Sequence, residues 1–261
     1  MVEKTSNSKV DMFDLAGKVA VVTGGARGIG RAIAEGFAES GASVVLADID
    51  YSEAHKTCTE IDKTGVGAVA VKCDVSQSDD ADALIRKTIE VFGRVDILVN
   101  NAGISGGAKP VVELSDDEWH NTLAINLTGM FLCSRAVARK MISQKRGKII
   151  NITSIASYQP IANSGDYCAS KGGALMLTKV LALELVKHNI QVNAICPGMF
   201  DTNLAPQLKE AYMKKINQLI PIGRFARVEE IKGLAIFLAS SASDYLVGAA
   251  IPIDGGISLR G

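Results

Sequence analysis

Three side chains in the second half of the chain have the types and spacing needed for proton transfer. Tyr167 and Lys171 are one helical turn apart at the start of an apolar segment, and Ser154 lies upstream of them. A tyrosine has an ordinary pKa of about 10 and is a poor base at neutral pH. A neighbouring ammonium stabilises the phenolate and is expected to lower that pKa. With Ser154 holding a substrate oxygen, these residues predict acid–base chemistry on an alcohol or a carbonyl.

On its own, a lysine one turn after a tyrosine is most often an ordinary pair of neighbours on a helix surface. A glycine-rich turn near the start of the chain, with glycines at 24, 28 and 30, favours the catalytic interpretation instead. Glycine permits a tight turn, and the next helix directs its N-terminal amides toward a pyrophosphate. An ordinary strand–helix turn is the alternative, but the apolar Val19–Val22 run before it favours a dinucleotide site.

The choice between NAD and NADP depends on two residues that act in opposite directions. Asp48 ends the second predicted strand, where a carboxylate accepts hydrogen bonds from the adenosine ribose and repels a 2′-phosphate. Arg27, inside the glycine turn, is able to pair with a 2′-phosphate. We give Asp48 more weight and expect NAD, with NADP less favoured. A role for Asp48 as the cap of the next helix is compatible with this.

Short β-branched runs alternate with helical segments from Lys18 onward. Strands that are apolar throughout belong to a parallel sheet covered on both faces, so the alternation predicts an α/β, single-domain Rossmann fold with a doubly wound sheet. The expected strands are Val19–Val22, Ser43–Ala47, Ala68–Lys72, Asp96–Val99, Lys148–Ile152, Gln191–Ile195 and Ala250–Ile253. The expected helices are Ile29–Ser40, Tyr51–Thr64, Ser78–Phe92, Asp116–Met141, Tyr167–His188 and Val228–Ala239.

Composition excludes several classes of protein. The 261 residues include 28 basic and 28 acidic side chains, so no net charge favours nucleic acid or an anionic membrane. The five cysteines form no CxxC pair and indicate reduced thiols in a cytoplasmic protein. The three histidines are far apart, and no metal site is expected. Residues 1–14 are polar and resemble a short mobile arm rather than a signal peptide, leaving 15–261 as the domain.

The predicted helix after Lys171 is apolar on nearly every face, from Ala174 to Val186. Packing on one sheet needs only one apolar face. We therefore expect another subunit to cover its outer side.

Taken together, these residues resemble the short-chain dehydrogenase/reductase family, over about Leu15 to Ser258. The resemblance identifies Ser154, Tyr167 and Lys171 with the family's catalytic triad, and Asn126 with the fourth member, which holds a water in the proton relay. It matches the segment Asn100–Gly103 to a structural motif and Ile253–Gly256 to the ending of the last strand.

The resemblance also implies the cofactor contacts. Asp74 and Val75 match the pair beside the adenine, and the segment from Pro197 to Thr202 matches one whose threonine holds the nicotinamide carboxamide. The expected cofactor-binding residues are Gly24, Arg27, Gly28, Ile29, Gly30, Asp48, Ile49, Asp74, Val75, Asn101, Ala102, Gly103, Tyr167, Lys171, Pro197, Gly198 and Thr202. Family members are usually homotetramers with a flexible segment over the substrate, which here is residues 200–224.

The function implied is an NAD(H)-dependent interconversion of a secondary alcohol and its ketone. Sugar, sugar-acid or polyol substrates are favoured weakly, and four polar residues suit them if they line the site: Ser105, Gln159, Asn163 and Asn203. The alternative is a 3-oxoacyl-[acyl-carrier-protein] reductase using NADPH. A non-catalytic dinucleotide-binding regulator is a more distant alternative, because it predicts loss of Ser154, Tyr167 or Lys171, and all three are present.

Overall fold

The structure, a computed structural model, describes residues 12–202 and 216–259. Parallel strands form one seven-stranded sheet in these residues. The strands are β1 (Val19–Thr23), β2 (Ser43–Asp48), β3 (Ala68–Lys72), β4 (Ile97–Asn100), β5 (Gly147–Ile152), β6 (Ile190–Pro197) and β7 (Ala250–Ile253).

Helices connect the strands and cover the sheet. They are α1 (Gly28–Glu39), α2 (Tyr51–Ile61), α3 (Ser78–Phe92), α4 (Asp116–Leu123), α5 (Gly129–Gln144), α6 (Gly165–Leu185) and α7 (Lys232–Ala239). Single helical turns, including Val111–Glu113, Ile155–Ser157, Ile216–Leu219 and Ile257–Leu259, lie between them.

The strand order is β3-β2-β1-β4-β5-β6-β7, with every neighbouring pair parallel. The chain therefore winds outward in one direction from β1 to β3 and then in the other from β4 to β7. Between β1 and β4 the connections diverge and leave a crevice at the carboxyl ends of the strands, where ligands bind in such sheets. This arrangement confirms the predicted doubly wound Rossmann fold.

Two hydrophobic clusters, one on each face of the sheet, explain why β1 and β2 are largely apolar. Ala20 and Val22 of β1 pack in one cluster with Ile33 and Phe37 of α1. Val21, pointing the opposite way, packs in the other cluster with residues of α3, α5 and α6. Alternate residues of β1 thus enter different cores. Strands β4 to β6 also bury polar side chains, among them Asn100 and Asn151, which are hydrogen-bonded to each other.

Of the six predicted helices, only Ser78–Phe92 has its predicted bounds. Helix α1 is shifted by one residue, α2 ends at Ile61 and α7 begins at Lys232, and the two long helices differ more. The helix expected over Asp116–Met141 is interrupted by a π-helical turn, Ala124–Thr128, and extends to Gln144. It ends there because Lys145 adopts a left-handed φ of 55°. The predicted Tyr167–His188 helix begins two residues earlier, at Gly165, and ends in a tighter turn, Val186–His188.

Two predicted segments fall largely outside the described residues. Of the N-terminal arm, only residues 12–14 are described, and the Met12 carbonyl accepts a hydrogen bond from Ser241 Oγ at 3.2 Å. Of the predicted substrate lid, residues 203–215 lie outside. Its ends are anchored: Phe200 forms an isolated parallel bridge with Ala226, and the Ile222 amide donates to Gly255 at 3.1 Å. The mobility of both segments stays a prediction.

Candidate active site

The glycine-rich turn is fixed by the segment that follows β4. The Asn101 Nδ2 donates to the carbonyls of Thr23 and Gly24, at 3.0 and 2.9 Å. The Thr23 Oγ1 accepts from the amides of Asn101 and Ala102, at 3.0 and 3.2 Å. Gly30 has no room for a side chain, because an added Cβ would lie 2.2 Å from the Gly24 carbonyl oxygen. The turn and the segment after β4 therefore form one interlocked unit.

Helix α1 starts at this turn, and no side chain among the described residues caps its N-terminus at Arg27. Gly24 and Gly28 have φ values of 61° and 55°, in the left-handed region that favours glycine. Uncapped amides at the positive end of a helix dipole suit an anion such as a pyrophosphate. The Thr202 side chain reaches the same turn, with its Cγ2 3.7 Å from a Cβ added at Gly28.

The carboxylate of Asp48, at the end of β2, is held by two backbone amides. Its Oδ2 accepts from Ala26 at 3.1 Å and its Oδ1 from Asp50 at 3.0 Å. Arg27 forms an ion pair with Asp50 and lies 3.9 Å from the Glu53 carboxylate. Arg27, expected to compete with Asp48 in choosing the cofactor, thus has two acidic neighbours of its own.

The cap of α2 is Asp50 rather than Asp48, contrary to the compatible role we allowed Asp48. The Asp50 Oδ1 accepts from the Glu53 amide at 3.1 Å. Asp48 lies two residues before this cap, and its two oxygens bind the amide of Ala26 in the glycine turn and the amide of Asp50 itself.

Asp74 and Val75 follow β3 at the same edge of the sheet. The Asp74 Oδ1 accepts from the amide and hydroxyl of Ser76, at 3.0 and 2.7 Å. Val75 is buried against Gly129, where an added Cβ would lie 2.7 Å from a Val75 methyl. The pair is therefore held in place by a local turn and by α5.

The proton-transfer residues come together from β5 and α6. Ser154 follows β5, and its Oγ accepts from the Ala156 amide at 3.1 Å. Tyr167 and Lys171 lie on the same face of α6, and the Lys171 Nζ is 5.7 Å from the Tyr167 ring centroid. The Nζ also donates to the Ile152 carbonyl at 3.0 Å. The sequence-predicted triad is thus one cluster.

Burial dominates the electrostatics of this cluster. It lowers the pKa of Lys171 to about 8. It also raises the pKa of Tyr167, and a hydrogen bond with Ser154 opposes this only in part. Our expectation that the pKa of Tyr167 is lowered is therefore wrong for this structure. The free-energy cost of removing a phenolate from water exceeds the stabilisation that the neighbouring groups provide.

Asn126 lies in the π-helical turn and reaches across to the segment after β4. Its Oδ1 accepts from the Ile104 amide at 2.8 Å, and its Nδ2 donates to the Ile104 carbonyl at 2.9 Å. The Nδ2 also donates to Ser170 Oγ at 3.1 Å, and this hydroxyl donates to the Tyr167 carbonyl at 2.8 Å. Asn126 therefore joins α6 to the segment after β4.

A buried carboxylate beside the tyrosine, Asp166, has a larger part in the site than the sequence indicated. It lies in the first turn of α6, and its Oδ1 accepts from the Tyr167 amide at 2.8 Å. Its Oδ2 accepts from the Gly107 amide at 2.9 Å and from Thr122 Oγ1 at 2.8 Å. Asp166 is fully buried. It thus ties three elements together beside Tyr167, and no local pattern could have shown its distant partners.

The segment after β6 closes the other side. The Gly198 amide donates to the Ile253 carbonyl at 3.0 Å, and an added Cβ would lie 2.7 Å from Asp254 Cα. The Ala226 amide donates to Met199 at 3.0 Å. These contacts with β7 and with the segment before α7 direct the chain from Pro197 back toward the glycine turn.

These elements enclose a cavity of about 770 Å³. It is lined by every predicted cofactor and catalytic residue except Gly30, which lies inside the turn, and Asn126, which lies behind Gly103. Sequence reasoning missed the apolar part of the lining, formed by Cys73, Ile104, Ile125, Ile152, Met199, Phe200, Phe225 and Val228. The volume is within the range of small-molecule sites.

The four polar residues suggested for a hydroxylated substrate are not brought together. Gln159 donates to the Ser258 carbonyl at 3.2 Å, and Asn163 is exposed in a left-handed conformation. Neither of them, nor Ser105, lines the cavity, and Asn203 lies outside the described residues. This part of the sequence interpretation does not support the sugar preference.

Three further observations concern the rest of the molecule. A second cavity of about 640 Å³ lies between α3 and α5, and none of the candidate residues lines it. In residues 12–202 and 216–259, no cluster of His, Cys, Asp and Glu could hold a metal ion. Within those same ranges, every helix is too short or too polar to cross a membrane.

Comparison with known proteins gives matches over nearly the whole chain. A family model described as enoyl-(acyl-carrier-protein) reductase matches residues 24–258. The chain is 39% identical over 249 residues to 5-keto-D-gluconate 5-reductase of Escherichia coli (strain K12), covering 95% of this chain and 98% of that protein. It is 38% identical over 248 residues to 3-oxoacyl-[acyl-carrier-protein] reductase of Synechocystis sp. (strain ATCC 27184 / PCC 6803 / Kazusa), covering 94% and 99%.

The fold is likewise shared with solved structures. A gluconate 5-dehydrogenase from Burkholderia cenocepacia J2315, in complex with NADP and tartrate, superposes with a TM-score of 0.92 at 38% identity. The match covers 95% of this chain and 98% of that one.

Proposed function

The chain belongs to the short-chain dehydrogenase/reductase family of oxidoreductases acting on CH–OH groups, and we propose that it interconverts a secondary alcohol and its ketone with NAD(H). One observation carries the proposal. A single cavity has the glycine turn and Asp48 in one part of its lining and Ser154, Tyr167 and Lys171 in another.

The residues present fit a nicotinamide dinucleotide. The uncapped N-terminus of α1 offers amides to a pyrophosphate, and Asp48 offers a carboxylate at the strand end where a ribose would lie. Asp74 and Val75 would flank the adenine, and Thr202 the nicotinamide. When bound, the dinucleotide would supply a hydride acceptor for oxidation and a hydride donor for reduction.

Tyr167 is the proposed acid and base. In oxidation its phenolate takes the proton of the substrate hydroxyl, and in reduction its phenol returns that proton to the carbonyl oxygen. Ser154, which shares a hydrogen bond with Tyr167, orients the same oxygen. Asn126 stays in its proposed role beside the proton path, and its bonds to Ile104 and Ser170 keep α6 in register with the segment after β4.

We treat proton loss from Tyr167 and Lys171 together, because the Lys171 Nζ lies 5.7 Å from the Tyr167 ring centroid. Because burial lowers the pKa of Lys171 to about 8, loss of one proton from the pair takes place near that value. The remaining proton is shared between phenolate–ammonium and phenol–amine forms. The first of these forms is the base that oxidation needs, so Lys171 makes Tyr167 usable despite the raised pKa of its phenol.

NAD rather than NADP is the proposed cofactor. Asp48 would face the 2′ position of the ribose, and a phosphate there would meet a carboxylate. The related gluconate 5-dehydrogenase was solved with NADP, which argues against an NAD preference, so the proposal rests on Asp48 of this chain.

The substrate class we propose is a sugar acid or polyol. The support is the similarity to 5-keto-D-gluconate 5-reductase and to gluconate 5-dehydrogenase. The second candidate, a 3-oxoacyl-[acyl-carrier-protein] reductase, is supported by the similarity to the Synechocystis protein at nearly the same identity.

Turnover assays discriminate between the two. Sugar acids, polyols and acyl thioesters would each be assayed with NADH or NAD and with NADPH or NADP, following absorbance of the reduced nicotinamide. We expect turnover of a sugar acid or polyol with the non-phosphorylated cofactor. Turnover confined to acyl thioesters with NADPH would instead establish the carrier-protein reductase.

A homotetramer in the cytoplasm is the proposed state of the protein. Leu183 and Met176 on α6 are 79% and 59% exposed, and Phe131 on α5 is also exposed, so apolar surface extends over both helices. Sedimentation at micromolar concentration should show a tetramer, and Leu183→Glu should dissociate it. A wild-type monomer would contradict the proposed tetramer.

The five cysteines are free thiols, the form that a reducing compartment such as the cytoplasm favours.

A further inference from the structure

We propose that Asp50 helps to exclude 2′-phosphorylated cofactors by holding the guanidinium of Arg27 away from the 2′ position. The inference rests on the proposed dinucleotide site and assigns to Asp50 a part in cofactor selection that the strand-end residue Asp48 does not perform. Arg27 lines the cavity and would otherwise be the cation nearest to a 2′-phosphate.

The contacts of Arg27 support this assignment. Its terminal nitrogen pairs with the Asp50 Oδ2, and the Glu53 carboxylate is 3.9 Å from the same nitrogen. The Arg27 side chain is 62% exposed, and among the described residues its ion pairs are with these two acids. A guanidinium that is paired with Asp50 is not available to a 2′-phosphate.

Asp50 is held in place independently of Arg27. Its Oδ1 accepts from the Glu53 amide at 3.1 Å, and its own amide donates to Asp48 at 3.0 Å. The hydrogen bond from the Glu53 backbone, with the smaller effect of Arg27, keeps the pKa of Asp50 below its ordinary value. Asp50 is therefore a negative charge held in place by the start of α2, and Arg27 is its more exposed partner.

Replacing Asp48 and replacing Asp50 should have different consequences for the glycine turn. Asp48 binds the amides of Ala26 and Asp50, so its replacement alters the glycine turn as well as the charge. Asp50→Asn keeps the helix cap, because asparagine caps a helix as well as aspartate does. This substitution removes the charge that holds Arg27 and leaves the turn intact.

The test measures binding of NADPH and NADH to the full chain by fluorescence titration, in wild type, Asp50→Asn, Arg27→Met and the double variant. An exposed ion pair contributes little, so Asp50→Asn should tighten NADPH binding by about three- to fivefold. NADH binding should change less than about twofold. In the Arg27→Met background, Asp50→Asn should no longer tighten NADPH binding, because there is no guanidinium that the substitution could free. Glu53→Gln, which removes the more distant acid, is the matched control and should give a smaller gain.

Two results would overturn the inference. One is an unchanged NADPH affinity in Asp50→Asn, and the other is an equal gain with and without Arg27, which would show that Asp50 repels the phosphate directly. A wild-type preference for NADPH combined with an Arg27-dependent gain would contradict the proposed NAD preference and leave the action of Asp50 standing. The two proposals therefore fail separately.

Discussion

The two ends of the cavity are held together by different kinds of contact. At the dinucleotide end, the Asn101 side chain binds the carbonyls of Thr23 and Gly24, and main chain crowds Gly24 and Gly30. At the catalytic end, side chains from β5, the π-helical turn and α6 meet, and burial shifts the pKa values of Tyr167 and Lys171.

This difference separates two ways in which a substitution can act. At the dinucleotide end, shape is decisive, so an added methyl group should displace main chain and weaken binding. At the catalytic end, the protonation state is decisive, so removing one polar atom should stop turnover while the fold and cofactor binding persist. Separate measurements of cofactor affinity and of turnover therefore distinguish the two ends.

The largest expected effect is that of Tyr167→Phe at the catalytic end. The change removes the hydroxyl that transfers the proton and keeps the ring, so kcat should fall by about 10² to 10⁴. Cofactor affinity, measured by fluorescence titration, should stay within a small factor of wild type. Wild-type kcat in this variant would show that another group transfers the proton.

A large effect of pH should come from the same end. Oxidation needs the pair of Tyr167 and Lys171 to have lost one proton, so kcat/KM for the alcohol should fall as pH drops below about 8, the pKa of Lys171. The fall approaches tenfold for each pH unit, or about a hundredfold at two units below that value.

Lys171→Met sharpens this test. Without the ammonium, the tyrosine has to ionise alone, and its pKa is already raised by burial. The inflection of the pH profile should therefore move to higher pH in this variant. A profile that is flat between pH 6 and 9 in wild type would contradict the coupled titration.

The two ends also differ in how far the sequence revealed them. The glycine turn and Asp48 were predicted because both lie within one strand–helix–strand unit, from β1 through α1 to β2. The hydrogen-bond partners of Asp166 and Ser170 could not be predicted from the sequence. They are Gly107, Thr122 and Asn126, which belong to other elements that only the tertiary fold brings near.

The same reason explains one omission and one error at the level of single residues. Arg27 was weighed against Asp48 without Asp50, because an ion pair between a turn and the following helix has no signature in spacing. The shift of the Tyr167 pKa was predicted in the wrong direction, because the sequence shows the lysine but not the extent of burial. The strands, by contrast, followed from their apolar pattern.

At the dinucleotide end, Gly30→Ala should act through shape. The added Cβ would lie 2.2 Å from the Gly24 carbonyl oxygen and 2.4 Å from the Asn101 Nδ2, so the turn has to shift. Overpacking costs about 1–3 kcal/mol, and we expect NADH binding to weaken by about tenfold or more. Gly233→Ala in α7 is the control, since no atom lies within 4 Å of its added Cβ. Equal NADH affinities in Gly30→Ala and Gly233→Ala would show that the turn accommodates the added methyl group without weakening cofactor binding.

The smallest effect concerns the cofactor and is the one place where charge rather than shape should decide at the dinucleotide end. Asp48 is fixed by two amides, so it cannot turn away from a 2′-phosphate, and the like charges would meet partly out of water. We expect kcat/KM to favour NAD over NADP by about tenfold, and Asp48→Ala to narrow that ratio. Because Asp48 also holds the Ala26 amide, the same variant should lower kcat/KM for NAD, which a purely electrostatic role would not do. A wild-type preference for NADP would mean that Arg27 outweighs Asp48 despite Asp50, and it would make the carrier-protein reductase the better assignment.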